Sequence, residues 1–355
     1  WSNKTTTGMQ SGYNPVSYSG YPVSYNNDMY FFNRRQSSSN YAEMWKLDVA
    51  TSTWSKLTTT GTIVATQGHT TILYNNCLYI FGGKNNSGNY TNNTYKFDLS
   101  TDTFSQITTS GTAPGIRYQH AACLNGTEMI ISGGHNGTTL LNSTFKLDLT
   151  TNAWTEISTT GSDMAKRNGH AIFIYDSKLY IIGGDSNVTD GDNGNICDNV
   201  YTLDLTTNAW SHLPTLGSFT GSYYASTNVI GNNVLIFGGY TSTNTTGLDK
   251  FYIFSLTGNS FTDLTIVEGK PTTDWGTLSV YDSVNGKIHY YGGNGGNNQQ
   301  KLYTYNFAYP NSGFAGGGSS GYTGTLDQTI YRELDHINDV NIISSAGNKF
   351  VFNNY

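Results

Sequence analysis

One pattern returns along this chain every 50 to 55 residues. Apolar runs close in a glycine pair at Phe81-Gly82-Gly83, Ser132-Gly133-Gly134, Ile182-Gly183-Gly184, Phe237-Gly238-Gly239 and Tyr291-Gly292-Gly293. From one second glycine to the next the spacings are 51, 50, 55 and 54 residues. A polar loop follows each pair. An aromatic then recurs (Tyr95, Phe145, Tyr201, Tyr252, Tyr303), with a short polar residue three positions on (Asp98, Asp148, Asp204, Ser255, Asn306). Six residues beyond the first four of these stands Phe104, Trp154, Trp210 or Phe261. An earlier copy keeps the register through Trp45, Asp48 and Trp54, but its apolar run, Met29-Tyr30-Phe31-Phe32, ends in Asn33-Arg34. That makes six copies. A period of this length marks a repeat architecture in which no unit buries its apolar faces alone.

Each copy reads as a twisted four-stranded meander. The first strand follows a Gly-His or similar lead-in, and a tight turn such as Leu124-Asn125-Gly126 leads to the second. The second strand ends at the glycine pair, where a Cβ would restrict the backbone. The third carries the aromatic and the Asp, whose carboxylate suits a turn that caps backbone N–H groups. The fourth begins at the Trp or Phe, a side chain large enough to fill the space between neighbouring sheets. Trp54, Phe104, Trp154, Trp210 and Phe261 are therefore expected between blades.

These residues carry a resemblance to the kelch-repeat family. The glycine pair, the Tyr and the later Trp match its pattern, and so do the lead-ins Arg117-Tyr118-Gln119-His120 and Arg167-Asn168-Gly169-His170. The resemblance covers residues 1–310 and implies an all-β, six-bladed β-propeller. It implies little about function, because kelch propellers serve many roles. The ends of the chain suggest how the ring closes. The sixth copy lacks a fourth-strand aromatic, while Trp1-Ser2-Asn3-Lys4-Thr5-Thr6-Thr7-Gly8 resembles Trp54-Ser55-Lys56-Leu57-Thr58-Thr59-Thr60-Gly61. Residues 1–8 are expected to supply the last strand of the last blade, removing two open sheet edges. Residues 311–324 read as a Gly/Ser-rich linker. Residues 325–355 form a C-terminal extension in which 349–352 alternates like a strand that the ring does not need.

Charge excludes some partners. There are 18 Lys and Arg against 24 Asp and Glu, a net −6 with no basic run, so neither nucleic acid nor an anionic membrane surface is indicated. No apolar stretch is long enough to insert as a membrane helix. Three cysteines, Cys77, Cys123 and Cys197, are too few for a disulfide framework; one bridge with a free thiol and three buried thiols both remain open.

In a meander of four strands, the loop after the second strand and the loop entering the next blade open on one face. That face collects Arg34, Arg35, Lys84, His135, Asp185 and Tyr240 from the post-glycine loops, and Arg117, Arg167, Tyr223 and Trp275 from the lead-ins. It is the candidate binding surface. His69, His120 and His170 recur at one repeat position; a three-histidine metal site is conceivable, but adjacent blades hold such residues too far apart, and a structural histidine per repeat is the better reading. Asp185, Asp190, Asp192 and Asp198 make an oxygen-rich loop without EF-hand spacing, read as a solvated loop rather than a calcium site. Nothing in the sequence calls for a cofactor or metal.

Sequons stand at Asn3, Asn85, Asn89, Asn92, Asn125, Asn136, Asn142, Asn187 and Asn244. The abundance of Asn, Ser and Thr makes their number uninformative, but seven lie in the post-glycine loops, where glycans would not disturb strands. The expectation is an extracellular or cell-surface, non-catalytic module that binds a protein or glycan, or copies of itself through its C-terminal tail. The alternative is a metal-dependent oxidase or carbohydrate-active enzyme working on the loop face. No paired-carboxylate, nucleophile or phosphate-loop signature favours it.

Overall fold

A computed structural model describes residues 2–8, 22–26, 28–36, 39–162, 164–186, 196–241, 247–264, 271, 278–282, 285–291, 301–306, 342–343 and 349–350. The described residues contain strands and no helix, and the strands form six small antiparallel sheets arranged as a six-bladed β-propeller. Blade 3 shows the pattern: Ala121–Asn125, Glu128–Ser132, Thr144–Asp148 and Ala153–Glu156, in spatial order. The first strands of the six blades touch one another in a closed circuit, so they line the axis and the fourth strands form the rim.

Closure follows the expected route. Ser2–Thr5 pairs antiparallel with Lys301–Asn306, placing Asn3 opposite Tyr303, and completes the sheet of Lys287–Tyr291 and Leu278–Asp282. The far end of that N-terminal segment reaches the neighbouring blade, where the Thr7 N–H donates to the Ser52 carbonyl (3.1 Å) and Trp54 N–H donates to the Thr7 carbonyl (2.8 Å).

The same device joins other blades. After each fourth strand the chain runs on through a Thr-x-Gly-like triplet and pairs in parallel with the start of the next blade's fourth strand: Thr60–Gly61 with Thr103 and Phe104, Ser110–Gly111 with Ala153 and Trp154, Thr160–Gly161 with Ala209 and Trp210. Glycine is required because the backbones nearly touch. A Cβ on Gly111 would lie 2.2 Å from the Trp154 carbonyl oxygen, at a φ of +73°. The sequence shows a Thr-x-Gly triplet in five of the six copies, with Val267-Glu268-Gly269 in the other, but its role as a rim staple is visible only in the structure.

The repeat aromatics occupy the blade interfaces. Trp54, Phe104, Trp154, Trp210 and Phe261 are all buried. Trp154 of blade 3 packs on Phe81 of blade 2 (ring centroids 5.0 Å apart), and Trp54 of blade 1 on Tyr291 of blade 6 (4.8 Å). The aspartates cap their turns: Asp148 Oδ1 accepts from the N–H groups of Thr150 (2.8 Å) and Thr151 (3.2 Å), and Asp204 does the same for Thr206 and Thr207. These bonds hold the Asp204 carboxyl down at about 2.

Blade 1 departs from the others. With Asn33-Arg34 in place of the glycine pair, the second and third strands run on as Asp28–Gln36 and Ser39–Asp48, with a bulge between Phe32 and Arg34. Arg34 lies opposite Tyr41 and Arg35 opposite Asn40, so both belong to a strand hairpin and not to an open loop as expected. Among the described residues of the tail, Lys349–Phe350 pairs with Ile342–Ile343. The three cysteines are free thiols.

Candidate functional site

The face that gathers post-glycine loops and lead-ins has a repeated backbone frame. In blades 2 to 5 the residue directly following the glycine pair pairs antiparallel with a lead-in residue: Lys84 with Gln67, His135 with Tyr118, Asp185 with Asn168, Tyr240 with Tyr223. The loop-parity argument therefore brings together Lys84, His135, Asp185, Tyr223 and Tyr240 on one face. Trp275 lies outside the described residues.

Two further bonds per junction weld the blades. The second glycine N–H donates to the lead-in carbonyl of the next blade: Gly83 to Arg117 (2.8 Å), Gly134 to Arg167 (2.8 Å), Gly184 to Ser222 (2.9 Å). Around the axis, Gln119 N–H donates to the Gly68 carbonyl (2.7 Å), Gly169 N–H to Gln119 (2.9 Å) and Tyr224 N–H to Gly169 (2.9 Å). The glycine pair makes this possible. A Cβ on Gly133 would meet the His170 ring at 2.6 Å and the Arg167 carbonyl at 2.7 Å.

This packing corrects part of the sequence reading. Arg117 and Arg167 do not present charge to solvent: they are 2% and 0% exposed. Arg117 Nη1 donates to the Gly133 carbonyl (3.1 Å) and Arg167 Nη1 to the Gly183 carbonyl (2.8 Å), each guanidinium lying over a repeat aromatic, Phe145 or Tyr201, at 5.1 Å. They hold the end of the second strand in place. Burial lowers the Arg117 guanidinium to about 10. His135 and Asp185 are buried as well.

The three histidines sit inside the junctions. All are buried; His120 Nε2 is 2.8 Å from Thr70 Oγ1 and His69 Nδ1 is 3.0 Å from the Thr66 carbonyl. Burial lowers His69 to about 4 and His170 to about 3, and holds His120 well below the usual range, aided by the nearby Arg117 charge. Among the described residues, no group of three or more His, Cys, Asp or Glu has metal-site geometry. Burial also raises the Cys77, Cys123 and Cys197 thiols, leaving them protonated.

The loop face carries an aromatic and cationic cluster across blades 2 and 3, with Lys84 and Tyr90 partly exposed and Tyr118 and His135 buried. Lys84 Nζ lies over the Tyr90 ring (5.3 Å) and the Tyr118 ring (5.8 Å), and those rings meet edge to face at 5.1 Å. His135 packs on both. Tyr90 and Tyr118 were absent from the sequence-derived site; the Tyr after Arg in the lead-in was the only hint. In blades 4 and 5 the same face carries Tyr223 stacked against Tyr224 at 4.0 Å, Tyr240, and the amide pair in which Asn168 Nδ2 donates to Gln119 Oε1 (3.0 Å).

Several sequon side chains are themselves part of this frame. Asn92 Nδ2 donates to the Pro114 carbonyl (3.0 Å) and Asn142 Nδ2 to the Met164 carbonyl (3.3 Å), tying each post-glycine loop to the next lead-in. Asn85 and Asn136 instead accept through Oδ1 from the N–H groups of their own loops. Asn3 is exposed on the closing strand and Asn125 is half-buried at a turn, while Asn187 and Asn244 lie outside the described residues. Among the described residues no helix is long and apolar enough to cross a membrane.

The family model described as the KLHDC2/KLHL20/DRC7 Kelch-repeats domain matches residues 21–224, more than half of the chain and all of blades 1 to 4. No curated protein matches.

Proposed function

The chain belongs to the kelch-repeat family, and on that footing we propose that it is a non-catalytic binding module whose protein or glycan partner docks on the loop face, outside the cell or at its surface. One observation carries the reading: the backbone frame of the face repeats from blade to blade, while the loops held in that frame differ in length and side chains. The segments between frame contacts run from Lys84 to Tyr90, from His135 to Leu140 and from Asp185 to Ile196. A rigid frame presenting dissimilar loops suits recognition. Buried His69, His120 and His170 are held neutral, and the buried Arg117 and Arg167 guanidinium groups are occupied by carbonyls, which gives them positional roles.

Self-association is part of this proposal. The tail pairs with itself as a hairpin, Ile342–Ile343 with Lys349–Phe350, and the ring is already completed by Ser2–Thr5. A ring closed without a strand from this segment supports its contacting another copy of the chain. Sizing the full chain against a version ending at residue 324 tests it: loss of an assembly on truncation supports the tail, and a monomer at high concentration removes it. For the loop face, cross-linking through Cys substituted at Lys84 should capture partner from native material, whereas Cys at Leu124, beside the opposite turn, should not.

A further inference from the structure

Charge is divided unevenly over the loop face. On that face blades 1 to 3 present the end of the blade 1 hairpin, residues 33–42, and the loops 57–69, 82–94, 107–120 and 133–144. They contain no Asp or Glu, and they carry Arg34, Arg35, Lys84 and Arg117. In blade 4 the corresponding loops hold Asp163, Asp185, Asp190, Asp192 and Asp198. In a chain of net −6, an arc without a single carboxylate stands apart from its surroundings.

The same arc exposes apolar surface. Tyr41 (39% exposed) sits on the blade 1 hairpin opposite Arg34; Val64 (48%) and Ile116 (43%) stand in the lead-ins to blades 2 and 3. These are three of the five exposed large hydrophobics among the described residues; the other two, Leu124 and Leu216, lie beside a turn on the opposite face and on the rim. Lys84 is half-buried between these lead-ins, its ammonium resting on the Tyr90 and Tyr118 rings. Among the described residues no carboxylate pairs with it; the ion pairs of lysine lie elsewhere, at Lys46, Lys56, Lys146 and Lys250. A cation held on ring faces without a counter-charge keeps its attraction for an incoming anion. Exposed apolar side chains around a fixed cation are the composition of an interface centre and not of ordinary solvated surface.

We propose that the loop face of blades 1 to 3 docks an acidic protein segment carrying apolar side chains, with a carboxylate on Lys84 and apolar contacts to Ile116, Val64 and Tyr41. Exposed Asp198 in blade 4 marks a boundary by repelling the same segment. The proposal deepens the loop-face reading and rests on it. Arg117 has no part in direct recognition, because its guanidinium is spent on the Gly133 carbonyl.

Selection from a random-peptide display library on the immobilised full chain tests this. The expected enrichment is for peptides combining Asp or Glu with Leu, Phe or Tyr. Their binding should weaken as salt rises, and should fall about ten-fold or more in Lys84→Met, which keeps the stem on the tyrosine rings, and in Ile116→Asp. Thermal melts of both variants matching the parent chain show that the frame is intact; if either melts early, Lys84→Gln and Ile116→Ser replace them. Neutral or basic peptides lost in Ile116→Asp but unaffected by Lys84→Met overturn the acidic partner and leave loop-face binding standing. Peptides indifferent to both substitutions, or no enrichment, overturn both. Heparin retained through Lys84 while acidic peptides are not enriched overturns the partner class.

Discussion

Blades 2 to 4 and the seam between blades 6 and 1 are two solutions to joining sheets edge to edge. In the regular arc each junction is welded by backbone: a glycine N–H reaches the next lead-in carbonyl, and the lead-ins bond to one another around the axis. At the seam the Thr7 N–H and carbonyl bond to Ser52 and Trp54, and the other described contacts are rings and a short strand. Trp54 lies against Tyr291 (4.8 Å) and Phe31 (4.8 Å), and a four-residue strand, Ser2–Thr5, supplies the sheet edge. Large aromatics fill both kinds of junction, Trp154 on Phe81 in the arc and Trp54 on Tyr291 at the seam. What sets the seam apart is that its sheet edge comes from a closing strand whose own side chains are exposed. Ring closure thus rests on a short segment remote in sequence from its partners, while the arc is held by contacts between neighbours.

The largest expected effect follows from removing that segment. Deleting residues 1–8 strips blade 6 of its edge strand and the seam of the Thr7 bonds to Ser52 and Trp54. Cooperative unfolding should shift to much lower temperature, with blade 1 losing amide protection first. If the truncated chain melts with the parent, the seam is held by something other than the strand and the contrast with the arc collapses.

Next in size are the two interface tryptophans. Trp154→Ala in the arc and Trp54→Ala at the seam each remove a buried indole and should cost about 3–5 kcal/mol in denaturant unfolding. The comparison is sharpened by where the damage spreads: the arc variant keeps its backbone welds and should stay cooperative, whereas the seam variant should show blade 1 loosening before the rest. A loss below about 1 kcal/mol for Trp154→Ala is incompatible with its place against Phe81.

Acid separates the regions as well, because His69, His120 and His170 all lie in the arc. Their folded pKa values are depressed, to about 4 for His69 and about 3 for His170, from an ordinary value near 6.5. The unfolded chain therefore binds these protons first, so the stability they contribute is complete above about pH 6.5 and is lost as pH falls towards the folded values. Between pH 6.5 and 5.5 each contributes a loss of about 1 kcal/mol. His170→Gln should flatten the unfolding free energy over that interval by this amount; an unchanged pH dependence would mean that the ring is not sealed from solvent.

Much of this was legible from spacing. Glycine pairs, aromatics and capping aspartates each recur at a fixed interval, and strands of period two leave few ways to bury such aromatics other than between neighbouring sheets. Trp1 to Gly8 announced closure by repeating a fourth strand. The face could be assigned from loop parity, but not which of its residues reach solvent. Arg117 and Arg167 look like surface cations in sequence, because nothing local reveals that a carbonyl two strands away will accept their N–H groups. The blade 1 hairpin was missed because the absence of a glycine pair reads as decay of the repeat, when it removes the break that ends the strand elsewhere. The Thr-x-Gly staple was in plain view, but its partner belongs to the following blade, and a contact between repeats leaves no mark within one.

The smallest effect concerns the loop ties of the arc and bears on the extracellular proposal. Asn92 and Asn142 occupy equivalent places in blades 2 and 3, and each donates from Nδ2, the atom that would carry a glycan, to a lead-in carbonyl. Asn85 and Asn136 make their described bonds through Oδ1, and Asn89 is exposed. Glycans should therefore be found at Asn85, Asn89 or Asn136 and not at Asn142, where the half-buried amide is engaged across the junction. Asn142→Asp replaces the donor with an acceptor facing the Met164 carbonyl and should cost about 1 kcal/mol, while Asn136→Gln, which only lengthens an exposed loop contact, should cost less. Mass spectrometry of protein from its native source reads the first claim and paired melts the second. Full occupancy at Asn142 would show that the tie is dispensable, and three unmodified asparagines at 85, 89 and 136 would remove the main support for placing the protein outside the cell.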